Sequence, residues 1–138
     1  MRLLLDTNVV SELRKRARAN RDVQAWLAGV ADEDIHLSVL VIGELRRGVE
    51  LLRRRNARQA MALDHWLDRL TTDHADRILG IDRAVAETWG RLSALRPASV
   101  VDTLLAATAH VHGLTLVTRN VKDVAWTGVP CLNPFQDS

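Results

Sequence analysis

The run Leu3-Leu4-Leu5, broken at once by Asp6, Thr7 and Asn8, constrains this chain most. Consecutive leucines ending abruptly in polar residues read as a strand buried on both faces, the habit of a central strand in a parallel sheet. In open α/β sheets, ligands gather in the crevice outside the carboxyl ends of the strands. Asp6 stands at that edge. A turn or a helix cap explains a lone Asp equally well, so its meaning depends on whether other acids join it.

The rest of the chain alternates in the same grammar. Residues 35–38, 78–81, 114–118 and 129–132 read as further short strands. Residues 9–16, 23–29, 39–55, 57–70, 82–95 and 100–112 carry helical patterns. Val41, Leu45, Val49 and Leu52 recur at three- and four-residue steps, as do Ala60, Leu63, Leu67 and Leu70. These two stretches predict a helical hairpin broken near Asn56, with arginines on its outer side. Ser38, Asp82 and Ser99 stand where N-caps belong, Pro97 where a helix must stop, and Gly113 where a C-terminal cap belongs. Strands alternating with helices predict an α/β/α sandwich with a short, mostly parallel central sheet. No linker or repeat divides the 138 residues, which predicts a single domain over 1–138.

With 47% hydrophobic and 26% charged residues, the composition excludes wholesale disorder. Cys131 is the only cysteine, which excludes internal disulfides and CxxC zinc sites. No apolar run is long enough for a signal peptide or a spanning helix, so a cytoplasmic protein without membrane contact is expected. The formal charge is only +2, but the arginines cluster. One cluster holds Arg14, Lys15, Arg16, Arg18 and Arg21; the other holds Arg46, Arg47, Arg53, Arg54, Arg55 and Arg58. Guanidinium groups fork onto phosphate oxygens, so such clusters favour a nucleic-acid partner, with Arg46, Arg47, Arg53 and Arg54 as candidate RNA contacts. Solvated helix faces are the plainer explanation.

Three more positions carry chemistry. Glu44 sits at the edge of an apolar helical face, where a carboxylate is costly unless it is paired, metal-bound or reaches water. Asp102 follows Ser99 at capping-box spacing, which explains it without chemistry yet also puts it near the carboxyl end of the sheet. The exit of the strand at 114–118 reads Thr118-Arg119-Asn120-Val121-Lys122-Asp123, repeating the polar ending of the first strand. Acids converging in a dry crevice repel one another unless a divalent cation neutralises them. An all-oxygen set suits Mg²⁺, with Mn²⁺ as the alternative. His110 and His112, two apart on a helix, face different ways and make no zinc pair. Trp26, Trp66, Trp89 and Trp126 read as core rather than as base-stacking platforms.

These stretches resemble the PIN-domain ribonuclease toxins of the VapC family. The likeness lies in LLLDTNVVSEL at 3–13, SVLVIGELRRGVELL at 38–52, VDTLLAATAHVHGLTLVTRNVKD at 101–123 and VPCLNPF at 129–135, which span nearly the whole chain in family order. The resemblance implies a PIN-like fold and a metal-dependent endoribonuclease, the toxin half of a toxin–antitoxin pair. It carries the acidic positions onto Asp6, Glu44 and Asp102, with the fourth polar position in 118–123, where Asn120 and Asp123 both qualify. Many relatives have Phe after that Asp; Val124 stands here. A homodimer and a small antitoxin whose tail blocks the site are implied as well. On this reading Asp6 and Asp102 hold the metal, and Glu44 and Asp123 complete the catalytic set. Thr7, Thr118 and Asn120 support them by hydrogen bonds.

Two other readings compete. A catalytically silent module would bind RNA or a protein partner without turnover. An aspartyl-phosphate enzyme of the haloacid-dehalogenase kind wants a second Asp two residues after the first, and Asn8 stands there.

Overall fold

Leu3–Leu5 form strand β1, and all three leucines are buried. The strand pairs in parallel with β2 (Ile35–Ser38) on one side and β4 (Thr115–Val117) on the other. Short edge strands β3 (Ile78–Leu79) and β5 (Cys131–Leu132) complete the order β3-β2-β1-β4-β5. Every pairing is parallel, so the sheet goes further than the mostly parallel one expected. The computed structural model describes residues 1–136. The final two positions of the expected domain, Asp137 and Ser138, lie outside the described residues.

Among the described residues, six α-helices flank the sheet in an α/β/α sandwich: α1 (Thr7–Leu13), α2 (Arg21–Ala28), α3 (Val39–Arg53), α4 (Ala57–Asp73), α5 (Arg83–Ser93) and α6 (Val100–His112). Val9 and Val10 of α1, Val41, Leu45 and Val49 of α3, and Leu105, Ala106 and Ala109 of α6 close the core around β1. Leu4 is fully buried; replacing such a leucine by Ala removes about 2–5 kcal/mol through lost transfer energy and an unfilled cavity.

Strand order places the site. The chain lays down β1, β2 and β3 outward in one direction, then returns to add β4 and β5 on the other side of β1. Winding reverses between β1 and β4, and at such a switch point the carboxyl ends of the two strands open a crevice.

Local signals set most helix ends. Ser38 Oγ accepts from Leu40 N, Asn56 from Gln59 N, Asp82 from Val85 N, and Ser99 Oγ from Asp102 N. Gly113 closes α6 with φ +66°, a left-handed turn that costs glycine nothing. Several limits differ from expectation. Helix α1 starts at Thr7 rather than at residue 9, because Asp6 itself caps it by accepting from Thr7 N. Helix α5 stops at Ser93, before Pro97; there the Ser93 hydroxyl bonds the Gly90 carbonyl, satisfying a terminal acceptor. Strand β3 keeps only Ile78 and Leu79, since Gly80 and Ile81 turn outward beyond the partner strand.

Candidate active site

Asp6 leaves β1 with extended geometry, and its backbone N–H still reaches Val117 O at 2.9 Å. That bond carries the β1–β4 pairing one residue past the strand and fixes where the carboxylate begins. Oδ1 accepts from Thr7 N at 2.7 Å, and Oδ2 accepts from the Thr118 hydroxyl at 2.8 Å. Thr118 is itself buried at 2% exposure and accepts from Asn120 N at 3.2 Å. One hydroxyl thus locks both the Asp6 carboxylate and the loop after β4.

Glu44 projects from the middle of α3 and is exposed, so water solvates its head while the helix fixes its stem. The Thr7 hydroxyl donates to its Oε1 at 2.5 Å. Thr7 therefore joins α3 to the end of β1: its N–H serves Asp6, and its side chain serves Glu44.

Asp102 lies in the first turn of α6 and is half-buried. No hydrogen bond or ion pair reaches its carboxylate among the described residues. Burial pushes its pKa above the ordinary carboxylate range, and the charges of Asp6, Asp123 and Glu44 push it further. That repulsion means all four acids singled out in the sequence share one electrostatic neighbourhood. The cap on α6 comes from Ser99; Asp102 contributes its backbone N–H and keeps its carboxylate for the crevice. Among the described residues, no three Asp, Glu, His or Cys side chains stand as a ready-made metal cage.

The remaining expected residues fall variously. Asn120 and Asp123 both follow β4 on an exposed 3₁₀ turn. Asp123 acts on Asp102 electrostatically, whereas Asn120 contributes its backbone N–H to Thr118. Asn8 stands where an aspartyl-phosphate enzyme needs an acid, and its Oδ1 is buried without a hydrogen-bond partner among the described residues. The outer-face expectation for the hairpin arginines meets competition. Arg46 pairs with Asp64 at 3.0 Å and with Glu50 and Asp68; Arg53 pairs with Glu50 and Asp64. Arg47 and Arg54 are exposed and carry no ion pair among the described residues.

Sequence reasoning missed two features. Trp126, read as core, is only half-buried; Arg96 lies over its ring at 5.1 Å and its indole N–H donates to Asp123 O at 3.0 Å. Trp66, also read as core, does pack against the core, but it is only half-buried and its open side lines a groove. No local periodicity distinguishes a half-covered indole from a buried one.

Comparison with known proteins agrees with this architecture. A family model described as PIN domain matches residues 3–122. The "Toxin FitB" of Neisseria gonorrhoeae is 35% identical over 98% of this chain and 99% of its own. The "VapC ribonuclease Y4jK" of Sinorhizobium fredii is 32% identical over 97% and 98%. Among solved structures, FitAcB from Neisseria gonorrhoeae superposes with a TM-score of 0.88 at 34% identity, covering 98% of this chain and 99% of that one. A toxin–antitoxin complex from Klebsiella pneumoniae gives 0.67 at 26% identity, covering 98% and 99%.

Proposed function

Since the chain belongs to the PIN-domain family, we propose that it is the endoribonuclease toxin of a toxin–antitoxin pair, hydrolysing RNA phosphodiester bonds with a divalent cation. The observation that carries the reading is the unpartnered Asp102 carboxylate, its pKa raised by burial and by Asp6, Asp123 and Glu44. A carboxylate of purely structural role gains from a partner; Asp102 has none among the described residues and stands within electrostatic reach of three other acids.

The donor set fits Mg²⁺ or Mn²⁺. Every side-chain donor in the cluster is oxygen, and Mg²⁺ is commonly held by one or two carboxylates with water and substrate phosphate filling the rest. A preassembled three-acid cage is therefore not required. Asp6 and Asp102 would hold the ion, which when bound neutralises the cluster and stabilises charge developing on the phosphodiester.

The chain's own groups do the positioning. Thr118 and Thr7 N fix Asp6 through both of its oxygens. Thr7 Oγ1 occupies Glu44 Oε1 and leaves Oε2 free to accept a hydrogen bond from the attacking water. Asp123, in the turn after β4, lies close enough to act on Asp102 electrostatically and would help to orient that water. Arg47 and Arg54, without an ion pair among the described residues, remain candidate RNA contacts.

The reading includes a small antitoxin partner, a homodimer and a cytoplasmic setting. Among the described residues no helix is long and apolar enough to cross a membrane. The deciding experiment measures RNA cleavage by purified protein with Mg²⁺, with Mn²⁺ and with EDTA, alongside Asp102→Asn. Cleavage that needs the cation and disappears in the variant supports the reading. Full cleavage in metal-free buffer removes the cation, and full cleavage by Asp102→Asn removes the site.

A further inference from the structure

A groove of about 300 Å³ begins at Thr7 and Glu44 and runs between α1, α3 and α4 past Arg14. It shares Arg14, Leu63 and Trp66 with a larger groove of about 500 Å³ that continues to Arg16, Gln59 and Arg69. The two form one continuous track leading away from the acid cluster. Among the described residues, Glu44 is the only carboxylate in its walls.

Three cations along this track, like Arg47 and Arg54 but unlike Arg46 and Arg53 on the hairpin, have no acidic partner among the described residues. Arg14, Arg16 and Arg69 are exposed and carry no ion pair among the described residues. Lys15, a fourth cation on the track, is held by Glu12 at 3.1 Å, and on the hairpin Arg46 and Arg53 are held by Glu50 and Asp64. The floor is Leu63 and the half-buried indole of Trp66. Arg16 adds a second, independent mark. Its φ is +53°, in the left-handed region that residues with a Cβ rarely enter. Backbone held in that region clusters at binding sites, where the surrounding structure over-determines it.

We infer that this groove is the track for the RNA strand leading from the scissile phosphate, with Arg14, Arg16 and Arg69 on backbone phosphates and Trp66 under a base. The inference rests on the nuclease reading above and assigns its substrate path. Free guanidiniums complement a polyanion, and an aromatic floor between them suits an unpaired base of single-stranded RNA. A double helix has no splayed base to offer such a floor.

The test measures salt-dependent binding of a short fluorescein-labelled single-stranded RNA in EDTA, so that no strand is cut. Arg14→Ala/Arg16→Ala/Arg69→Ala is compared with the unsubstituted protein and with Arg83→Ala, a surface arginine on α5. Each phosphate contact on a single strand contributes about 0.7 to the slope of log binding constant against log salt. The triple variant should flatten that slope by about 2, three contacts' worth, and Arg83→Ala should leave it alone. Arg16→Gly keeps the test available should the triple variant fold poorly, because glycine accepts the positive φ. It should lose about 0.7 of slope while its thermal midpoint holds or rises. An unchanged slope in both variants, with the unsubstituted protein still binding RNA, overturns the track alone and leaves the groove to a protein segment. Failure of the unsubstituted protein to bind RNA in EDTA and to cleave it with Mg²⁺ overturns the nuclease reading and the track together.

Discussion

Thr118 donates its hydroxyl to Asp6 Oδ2 at 2.8 Å, although 112 positions separate them in the chain. The bond spans the ends of β1 and β4, the two strands between which winding reverses. It ties the chemistry to the sheet.

Thr118→Val tests that tie. Valine preserves the shape but removes the donor, leaving one oxygen of Asp6 without its partner and freeing Asn120 N. A hydrogen bond to a charged group is worth about 1.5–3 kcal/mol, so urea unfolding should show a loss of that order. Cleavage should fall as Asp6 loses its orientation. Thr118→Ser keeps the hydroxyl and should recover most of both.

Asp102→Asn should move stability and activity in opposite directions. The folded-state pKa of Asp102 is raised by burial and by its acidic neighbours. Between the unfolded and folded pKa values the native state binds the extra proton, so stability falls as pH rises through that window. Above it the full penalty stands. The variant should therefore unfold at a higher temperature than the parent at neutral pH. The difference should shrink as pH drops through the folded pKa toward the ordinary carboxylate range, while RNA cleavage is lost throughout.

A divalent cation should act on the same repulsion. Mg²⁺ should raise the parent's thermal midpoint by relieving the crowding around Asp102, following binding linkage. The midpoint of Asp102→Asn should respond far less. Differential scanning fluorimetry across a Mg²⁺ titration reads this without an RNA substrate; equal shifts in both proteins would falsify the assignment of Asp102 to the cation.

Glu44→Gln separates charge from hydrogen bonding. Glutamine still offers Thr7 an acceptor, so with an exposed side chain the stability should change by less than about 0.5 kcal/mol. Cleavage should drop by about 10²-fold or more if Glu44 receives a proton from the attacking water. A rate within twofold of the parent would return Glu44 to a solvated helix face.

Gly113→Ala provides the structural counterpart. At φ +66° an added Cβ costs about 1–2 kcal/mol. The residue stands before β4, at the end of that strand opposite Thr118. Stability should fall by that amount while the cleavage rate of the folded fraction stays unchanged.

The sequence alone determined the elements and most of the acids. Leu3–Leu5 announced a doubly buried strand because apolar residues without alternation suit neither an exposed face nor an amphipathic helix. The caps at Ser38, Asp82 and Ser99 were legible because a helix terminus needs a side-chain acceptor close in sequence. Those signals act over a few residues, which is why the strand limit near Gly80 slipped where pairing with β2 ended it. Only the tertiary structure decided which charges face one another. Arg46 and Arg53 looked free in sequence, yet the α3–α4 hairpin sets Asp64 against both. Arg14 belonged to a basic cluster in the sequence, and only the packing of α1 near α4 brought the distant Arg69 into one groove with it. Asp102 was legible both as a cap and as a site acid, and the crossover that places β4 beside β1 set it within electrostatic reach of three other acids. Periodicity and capping are short-range and leave a trace in sequence. Electrostatic company depends on how crossovers stack the elements, and it arises only once the sheet is assembled.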